Sequence, residues 1–283
     1  MAPPHHADYV LGVTREEYSR LGIQHDLWAS RMVRLLKRAG LPQHSKKSLN
    51  VLDCGCGPGF TTFEIARYLG PNSKVTGIDL SDKYLRLLES QASTRTAKEK
   101  SAQAEIFTKN APLDSFSLEK GSFDAAFARW IFIFLKDPEA AIVNIAKHLK
   151  PGGVFMLQEY VNYGTLTVHP SGPIFNHFIK AVMESWADNG GDANVGQKLP
   201  ALLKKHGFEV TSLRPQARIG RPHQKIWQWP DTFFKNYIPV LEREEYLSSA
   251  EAAEIEEIWE DACTNPDAFF VGPLVVDIIA RKL

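Results

Sequence analysis

Residues 51–59, Val-Leu-Asp-Cys-Gly-Cys-Gly-Pro-Gly, place three glycines at alternate positions directly after a short apolar run. A helical pattern from Phe60 to Leu69 follows at once. Glycine tolerates sharp turns and lets a ligand approach the backbone without a Cβ in the way. A glycine-rich turn between a strand and a helix is therefore typical of a nucleotide-binding loop in an α/β fold.

The residue that opens this loop is an acid, Asp53. A carboxylate here would repel a pyrophosphate, whereas it suits a cationic ligand with an amino group. The glycine spacing is G-x-G-x-G, and not the G-x-G-x-x-G of dinucleotide-binding proteins. The loop therefore favours a ligand other than a dinucleotide, and an oxidoreductase that uses a dinucleotide stays open as an alternative.

Strand-like and helix-like segments alternate from residue 49 to about residue 160. Strand patterns lie at 51–52, 74–79, 104–107, 123–128 and 154–157, and later at 208–213 and 273–280. Helical patterns lie between the early strands, at 60–69, 82–93 and 138–149. Repeated strand–helix units favour a parallel sheet with right-handed crossovers. We expect a Rossmann-like, doubly wound, mostly parallel seven-stranded sheet.

The overall charge and the cysteine content give no support to several classes of protein. The 33 basic and 33 acidic residues cancel, which gives no electrostatic reason to expect a nucleic acid or an anionic membrane as partner. No segment approaches the length of a membrane span, and the first residues lack a secretory-signal pattern. Cys54 and Cys56 suggest small buried side chains in a reducing setting and no metal site. We expect a cytoplasmic location.

A second acid, Asp79, closes the second strand about 20 residues beyond the last glycine of the loop. An acid at this position can accept hydrogen bonds from both hydroxyls of a ribose. A Pro151-Gly152-Gly153 turn then precedes the fifth strand. These features reinforce the expectation of a nucleoside-bearing ligand.

The motifs resemble those of class I S-adenosylmethionine-dependent methyltransferases, in the small-molecule subgroup related to the ubiquinone and menaquinone methyltransferases. The matching segments follow the family order, at 51–59, 77–81, 110–111, 123–135 and 149–153. The resemblance implies S-adenosylmethionine as cofactor and in-line transfer of its methyl group to a small molecule.

The resemblance also implies roles for particular residues. Asp53, Gly55 and Gly57 would face the methionine portion of the cofactor, Asp79 its ribose and Leu80 its adenine.

Five further residues complete the cofactor site that the resemblance implies. Asn110 and Ala111 would lie at the adenine edge, and Arg129 would lie near the methionine carboxylate or the substrate. Tyr9 and Gln24 fit the pattern of residues that the N-terminal segment supplies to the pocket.

Two departures from the family pattern keep an alternative open. Asn110 stands where the family often has Asp, and Phe134 stands where relatives frequently carry His before Leu. A repurposed member that binds the cofactor without methyl transfer is therefore a second alternative. Ala128-Arg129-Trp130-Ile131 replaces any N-P-P-Y-type signature, which disfavours DNA bases and protein glutamine as acceptors.

The chain 1–283 is expected to form a single methyltransferase domain. Residues 1–48 would form an N-terminal helical cap, in which Thr14 caps the start of the helix. Residues 49–160 would form the cofactor-binding core. Segments 161–193 and 220–268 break the strand–helix rhythm and are rich in aromatic residues, as expected of helical insertions that cover a substrate. Packing of these aromatic residues among themselves explains them equally well.

Methyl transfer needs a general base only when the nucleophile must lose a proton. Glu159, directly after the fifth strand, is the candidate catalytic residue. Alternatives are the histidines at positions 25, 169, 177 and 223. The expected substrate is a mid-sized aromatic or apolar molecule such as a phenol, polyketide, terpenoid or alkaloid, and the sequence does not choose between O-, N-, C- and S-methylation.

Overall fold

A computed structural model describes residues 13–283. The helices in that range are α1 (Arg15–Arg38), α2 (Phe60–Leu69), α3 (Asp82–Thr94), α4 (Ala97–Ser101), α5 (Pro138–His148), α6 (Pro173–Asp188), α7 (Leu199–Lys205), α8 (Gln228–Arg243) and α9 (Ser249–Thr264). The strands are β1 (Asn50–Cys54), β2 (Lys74–Asp79), β3 (Glu105–Asn110), β4 (Phe123–Arg129), β5 (Leu149–Asn162), β6 (Thr167–His169), β7 (Phe208–Gln216), β8 (Ile219–Gly220), β9 (Phe269–Val271) and β10 (Leu274–Lys282). Within these residues, no helix combines the length and the apolar character that crossing a bilayer requires.

Seven of the described strands form the main sheet, in the order β3-β2-β1-β4-β5-β10-β7. The neighbours from β3 to β5 are parallel, and β10 runs antiparallel between β5 and β7. This confirms the expected Rossmann-like, mostly parallel seven-stranded sheet. The strand order reverses between β1 and β4, and ligands of such sheets bind beyond the carboxyl ends of the strands at this point.

The central strands are apolar because helices cover both faces of the sheet. Val51 and Leu52 of β1 are fully buried, and so are Ala126 and Phe127 of β4. These residues fix the positions of the two strand ends from which the loops of the site emerge.

β5 is longer than its sequence pattern predicts. The apolar pattern marks only residues 154–157, whereas the strand covers Leu149–Asn162. Its second half continues because β10 pairs with it from Arg281↔Val154 to Leu274↔Asn162. Backbone pairing with a distant strand therefore extends β5 past Glu159 to the edge of the cap.

Helix α1 begins as predicted, because the side chain of Thr14 accepts a hydrogen bond of 3.1 Å from the amide of Glu17. Its buried face carries Trp28, whose ring lies 5.1 Å from that of Trp229 in α8. The N-terminal helix and the second insertion thus pack directly against each other.

The two insertions share one aromatic core. Phe175 and Phe178 of α6 pack edge-on against Phe234 of α8, with ring centroids 5.7 and 5.1 Å apart. Trp227 stacks on Trp259 of α9 at 4.5 Å. A small sheet in the order β6-β9-β8 joins these helices, and the sequence patterns do not predict it because its strands have only two or three residues each.

Candidate active site

A cavity of about 810 Å³ opens at the carboxyl ends of the central strands, beneath α1 and the insertions. We name its two regions after their residues. The glycine-loop half is lined by Asp53, Gly55, Gly57, Asp79, Leu80, Asn110, Ala111 and Arg129. The aromatic half is lined by Trp130, Phe134, Tyr160, Tyr163, Trp186, Trp229, Phe233 and Phe270. Because the two halves are continuous, one cavity can hold two ligands side by side.

The glycine loop needs glycine at two positions for different reasons. Gly55 and Gly57 have φ angles of 70° and 54°, in the left-handed region that favours glycine. A Cβ on Gly55 would lie 2.4 Å from Cγ1 of Ile131, whereas a Cβ on Gly57 would meet nothing within 4 Å. Gly55 therefore lets the loop pack, and Gly57 turns the backbone along open cavity space.

Asp79 holds this loop from the neighbouring strand. Its Oδ2 accepts a 2.8 Å hydrogen bond from the amide of Gly57, and its Oδ1 accepts one of 2.8 Å from the amide of Ser81. Burial raises the pKa of Asp79, and these backbone donors oppose the shift. Each carboxylate oxygen can accept more than one hydrogen bond, so Asp79 keeps acceptor capacity for ligand hydroxyls.

Asp53 is a buried acid on the floor of the cavity. Its Oδ2 accepts hydrogen bonds of 2.6 Å from the hydroxyls of both Thr61 and Thr62, in the first turn of α2. Burial raises the pKa of Asp53 to about 6, although the two hydroxyls and the charge of Arg129 oppose this shift. The side chain is therefore largely ionised at neutral pH and can stabilise a cation in the cavity.

Arg129 places a buried cation beside Asp53. One guanidinium nitrogen, Nη2, donates to Nδ1 of His25 at 3.1 Å, while Nη1 has no partner in residues 13–283. Burial lowers the pKa of Arg129 to about 10, so the group remains charged at neutral pH. A buried donor without a partner is costly, so Nη1 is available to donate to an acceptor atom of a ligand.

The remaining predicted residues of the cofactor site border the same half of the cavity. Gln24 lies on its wall, and its amide oxygen accepts a hydrogen bond from Arg20. Asn110 donates through Nδ2 to the carbonyl oxygens of Leu80, at 2.9 Å, and Asp79, at 3.2 Å. Leu80 is 53% exposed at the rim, and Ala111 lies beside it on the lining.

Tyr9 lies outside the described residues. Its predicted contribution to the pocket stays a prediction.

Glu159, the candidate catalytic residue, lies near the end of β5 beneath the loop after β4. Its side chain is fully buried, and it is not among the described residues that line the cavity. Its Oε1 accepts hydrogen bonds from the amides of Ile131, at 3.0 Å, and Phe132, at 3.1 Å. β10 extends β5 at this point, which directs the carboxyl group under the loop after β4.

The histidines that were candidate bases also lie elsewhere or are engaged. His25 lines the cavity, but burial and the charge of Arg129 lower its pKa to about 3, and its Nδ1 is occupied by that guanidinium. His169 stacks on Phe269 at 4.8 Å, His177 lies 3.3 Å from Glu251, and His223 is exposed. Of these four histidines, only His25 is among the described residues that line the cavity.

Residues 45–214 match a family model described as "Methyltransferase domain". The chain belongs to this methyltransferase family. The glycine loop, its flanking acids and strands β1 to β5 lie within the matched residues.

Similar proteins include several methyltransferases. A demethylmenaquinone methyltransferase of Lactococcus lactis is 32% identical over 152 residues, which cover 54% of this chain and 52% of that protein. An O-methyltransferase of Aspergillus nomiae is 28% identical over 178 residues, covering 62% of this chain and 72% of that protein. The chain thus spans about half the length of the Lactococcus methyltransferase.

A solved structure similar to this one is geranyl diphosphate C-methyltransferase from Streptomyces coelicolor A3(2), crystallised with S-adenosyl-L-homocysteine. The TM-score is 0.58 at 16% identity, covering 100% of this chain and 83% of that one. This likeness supports the shared fold of the methyltransferase core and cap.

The residues of this cavity fit S-adenosylmethionine. The cofactor carries a positively charged sulfur, an ammonium group, a carboxylate and two ribose hydroxyls. Asp53 matches the positive charge, the unpartnered Nη1 of Arg129 matches the carboxylate, and Asp79 matches the ribose. Gly57 leaves open space beside the loop where a side chain would stand.

The partners of two site residues could not be named from the sequence patterns used above. Thr61 and Thr62 hold Asp53, and His25 holds Arg129. The threonine pair had a readable signal, because hydroxyl side chains in the first turn after a glycine loop point back at the strand end. The histidine had none, since 104 residues separate it from Arg129.

Replacing Asp79 tests the ribose contact. Asp79→Ala removes the acceptor for the Gly57 and Ser81 amides as well as for the ligand hydroxyls. We expect the affinity for S-adenosylhomocysteine, measured by calorimetry, to fall by about tenfold or more. Asp82→Ala is the matched control, because this nearby acid is 59% exposed and pairs with Arg86. Equal affinities of the two variants would contradict the assignment.

Replacing Gly57 tests the left-handed turn in the glycine loop. Gly57→Ala and Gly121→Ala each place a Cβ at a positive φ, 54° and 61°, with nothing within 4 Å. Both should lose roughly 1–2 kcal/mol of folding free energy, visible as similar falls in Tm. Only Gly57→Ala should also weaken S-adenosylhomocysteine binding, because Gly57 lines the cavity. Weakened binding in both variants would mean that the effect is a general loss of stability.

Proposed function

We propose that this protein transfers the methyl group of S-adenosylmethionine to a small, aromatic or apolar molecule. The observation that carries the proposal is the continuity of one cavity from the charged glycine-loop half to the aromatic half. A donor held by Asp53, Asp79 and Arg129 would thus lie next to an acceptor held by aromatic rings.

When bound, the cofactor supplies an electrophilic methyl group on a positively charged sulfur. The protein must then align the acceptor with that methyl group and exclude water. Asp53, Asp79 and Arg129 orient one partner from the strand ends, while the insertions 161–193 and 220–268 cover the other. Alignment of this kind can lower a barrier by about 7–11 kcal/mol without a strong base.

The aromatic half indicates the character of the acceptor. Trp130 stacks on Tyr160, with centroids 5.7 Å apart, and on Trp229 at 6.0 Å, so the wall presents flat rings. Arg20, the neighbouring cation, pairs with Glu17 through hydrogen bonds of 2.6 Å. This surface favours an uncharged, flat molecule over a phosphorylated one.

The phenols of the aromatic half serve as hydrogen-bond donors and not as bases. Burial raises the pKa values of Tyr160 and Tyr163, so both side chains stay protonated at neutral pH. Their hydroxyls can donate to an oxygen of the acceptor. An acceptor whose nucleophile is already deprotonated or weakly acidic, such as a quinol or an acidic phenol, suits this site.

The relatives support a ring-bearing acceptor. One is named a demethylmenaquinone methyltransferase and another an O-methyltransferase. We also propose a biosynthetic role and a cytoplasmic location. All three cysteines lie in the described residues and are free, which is consistent with a reducing compartment.

The direct test is turnover. Purified protein is incubated with methyl-labelled S-adenosylmethionine and a panel of naphthols, hydroquinones, phenols and amines, and label in the organic extract is counted. We expect label in an aromatic hydroxyl compound and its loss in Asp79→Ala. Binding of the cofactor without transfer to any acceptor would favour a repurposed member. Binding of NAD in place of S-adenosylhomocysteine would favour an oxidoreductase.

Cofactor affinity should depend on pH through Asp53. Its raised pKa of about 6 means that the carboxyl group gains a proton, and loses its attraction for a cation, as the pH falls through 6. We expect the Kd for S-adenosylmethionine to rise steeply between pH 7 and 5. Asp53→Asn should bind weakly with a flat profile in this range, and Asp124→Asn, at the opposite end of β4, should keep the wild-type profile. A wild-type profile in Asp53→Asn would contradict the role of Asp53.

A further inference from the structure

The backbone after β4 makes a turn that an ordinary side chain adopts at a cost. Trp130 has a φ of 52°, in the left-handed region, which is rare for a bulky residue. Its amide still donates to the carbonyl oxygen of Gln158 at 3.0 Å, which continues the β4–β5 ladder. Such a conformation persists only where the surroundings hold it.

The side chain of Glu159 stabilises this turn. Its Oε1 accepts the amide hydrogens of Ile131 and Phe132, the two residues that follow Trp130 and begin the short 3-10 turn Phe132–Phe134. The side chain is 0% exposed, and its strand is paired on both sides, with β4 and β10. A buried acceptor on a rigid strand therefore fixes two consecutive amides of the loop.

The loop so held forms the junction between the two halves of the cavity. The side chain of Ile131 lies against Gly55 of the glycine loop. The ring of Trp130 stacks on Tyr160 and Trp229 in the aromatic half. Both residues line the cavity, so a shift of this loop would move one ligand site relative to the other.

We infer that Glu159 is a positioning residue, whose acceptor oxygen keeps Trp130 in the left-handed conformation that builds the acceptor side of the cavity. It acts through the amides of Ile131 and Phe132 and does not exchange a proton with the substrate. The consequence for ligand placement rests on the proposed function, whereas the backbone contact itself does not. Burial raises the pKa of Glu159 to about 8, so an uncharged side chain with the same reach should serve equally well.

Two variants separate reach from charge. Glu159→Gln keeps the length and the acceptor oxygen but removes the ionisable group. Glu159→Asp keeps the ionisable group but withdraws the oxygen by one methylene. We expect hydrogen exchange of the amides in residues 129–135 to stay slow in Glu159→Gln and to accelerate by about tenfold in Glu159→Asp.

The same variants are compared in two binding measurements with wild-type protein. In Glu159→Asp, affinity for the probe 2-naphthol should fall by about tenfold while affinity for S-adenosylhomocysteine changes less than about threefold. Glu159→Gln should match wild type in both. The near-ultraviolet circular dichroism of Trp130, isolated as the difference from Trp130→Phe, should likewise survive in Glu159→Gln and vanish in Glu159→Asp. Asp124→Asn serves as control, because Asp124 also accepts a backbone amide, that of Asn50 at 2.9 Å, but at the far end of β4 from Trp130.

The outcomes distinguish the inference from its rivals. Fast exchange and a lost Trp130 signal in Glu159→Gln, with wild-type behaviour in Glu159→Asp, would overturn the inference in favour of a role for the charge. Unchanged exchange in both variants would also overturn it. If wild-type protein binds no S-adenosylhomocysteine, the proposed function fails, and the exchange and dichroism measurements still decide the role of Glu159.

Discussion

The loops of the cavity are held by buried carboxyl groups at the ends of the central strands. Asp79 at the end of β2 accepts the amide of Gly57, in the loop after β1. Glu159 near the end of β5 accepts the amides of Ile131 and Phe132, in the loop after β4. In both cases an acid on one strand fixes the loop that follows the neighbouring strand of the sheet, so the shape of the cavity depends on the register of the sheet.

Asp53, a third acid at the end of a central strand, places a negative charge in the cavity. Its carboxyl group accepts hydrogen bonds from Thr61 and Thr62 of the following helix α2, and the positive charge of Arg129 favours its ionised form. His25 stays neutral beside that guanidinium, so it orients the cation without adding charge. A ligand with separated positive and negative groups satisfies both ends, whereas a pyrophosphate would face Asp53 and Asp79 together.

Local sequence signals predicted the parts of this molecule that depend on local chemistry. The alternate glycines predicted a sharp turn after β1, and the repeated strand–helix units predicted a mostly parallel sheet, so the seven-stranded sheet was predictable. The direction in which the Glu159 side chain points was not predictable from the sequence. It depends on the pairing of β5 with β10, which comes from the end of the chain more than 100 residues later.

In the cap, too, some features were predictable from the sequence and others depend on tertiary packing. Segments 161–193 and 220–268 are rich in aromatic residues, and several of these pack against one another between α6 and α8. The pattern did not separate Trp259, which packs inside that core, from Trp229, which lines the cavity. The small sheet β6-β9-β8 beside these helices is likewise too short to leave a sequence pattern.

The most direct test of this account is a crystal structure of the protein with S-adenosylhomocysteine. The account predicts the ligand carboxylate within hydrogen-bond distance of Nη1 of Arg129, the ribose hydroxyls on Asp79, and the sulfur directed toward Trp130. A ligand bound in the opposite orientation, with its adenine at Arg129, or an S-adenosylhomocysteine molecule found outside this cavity, would contradict it.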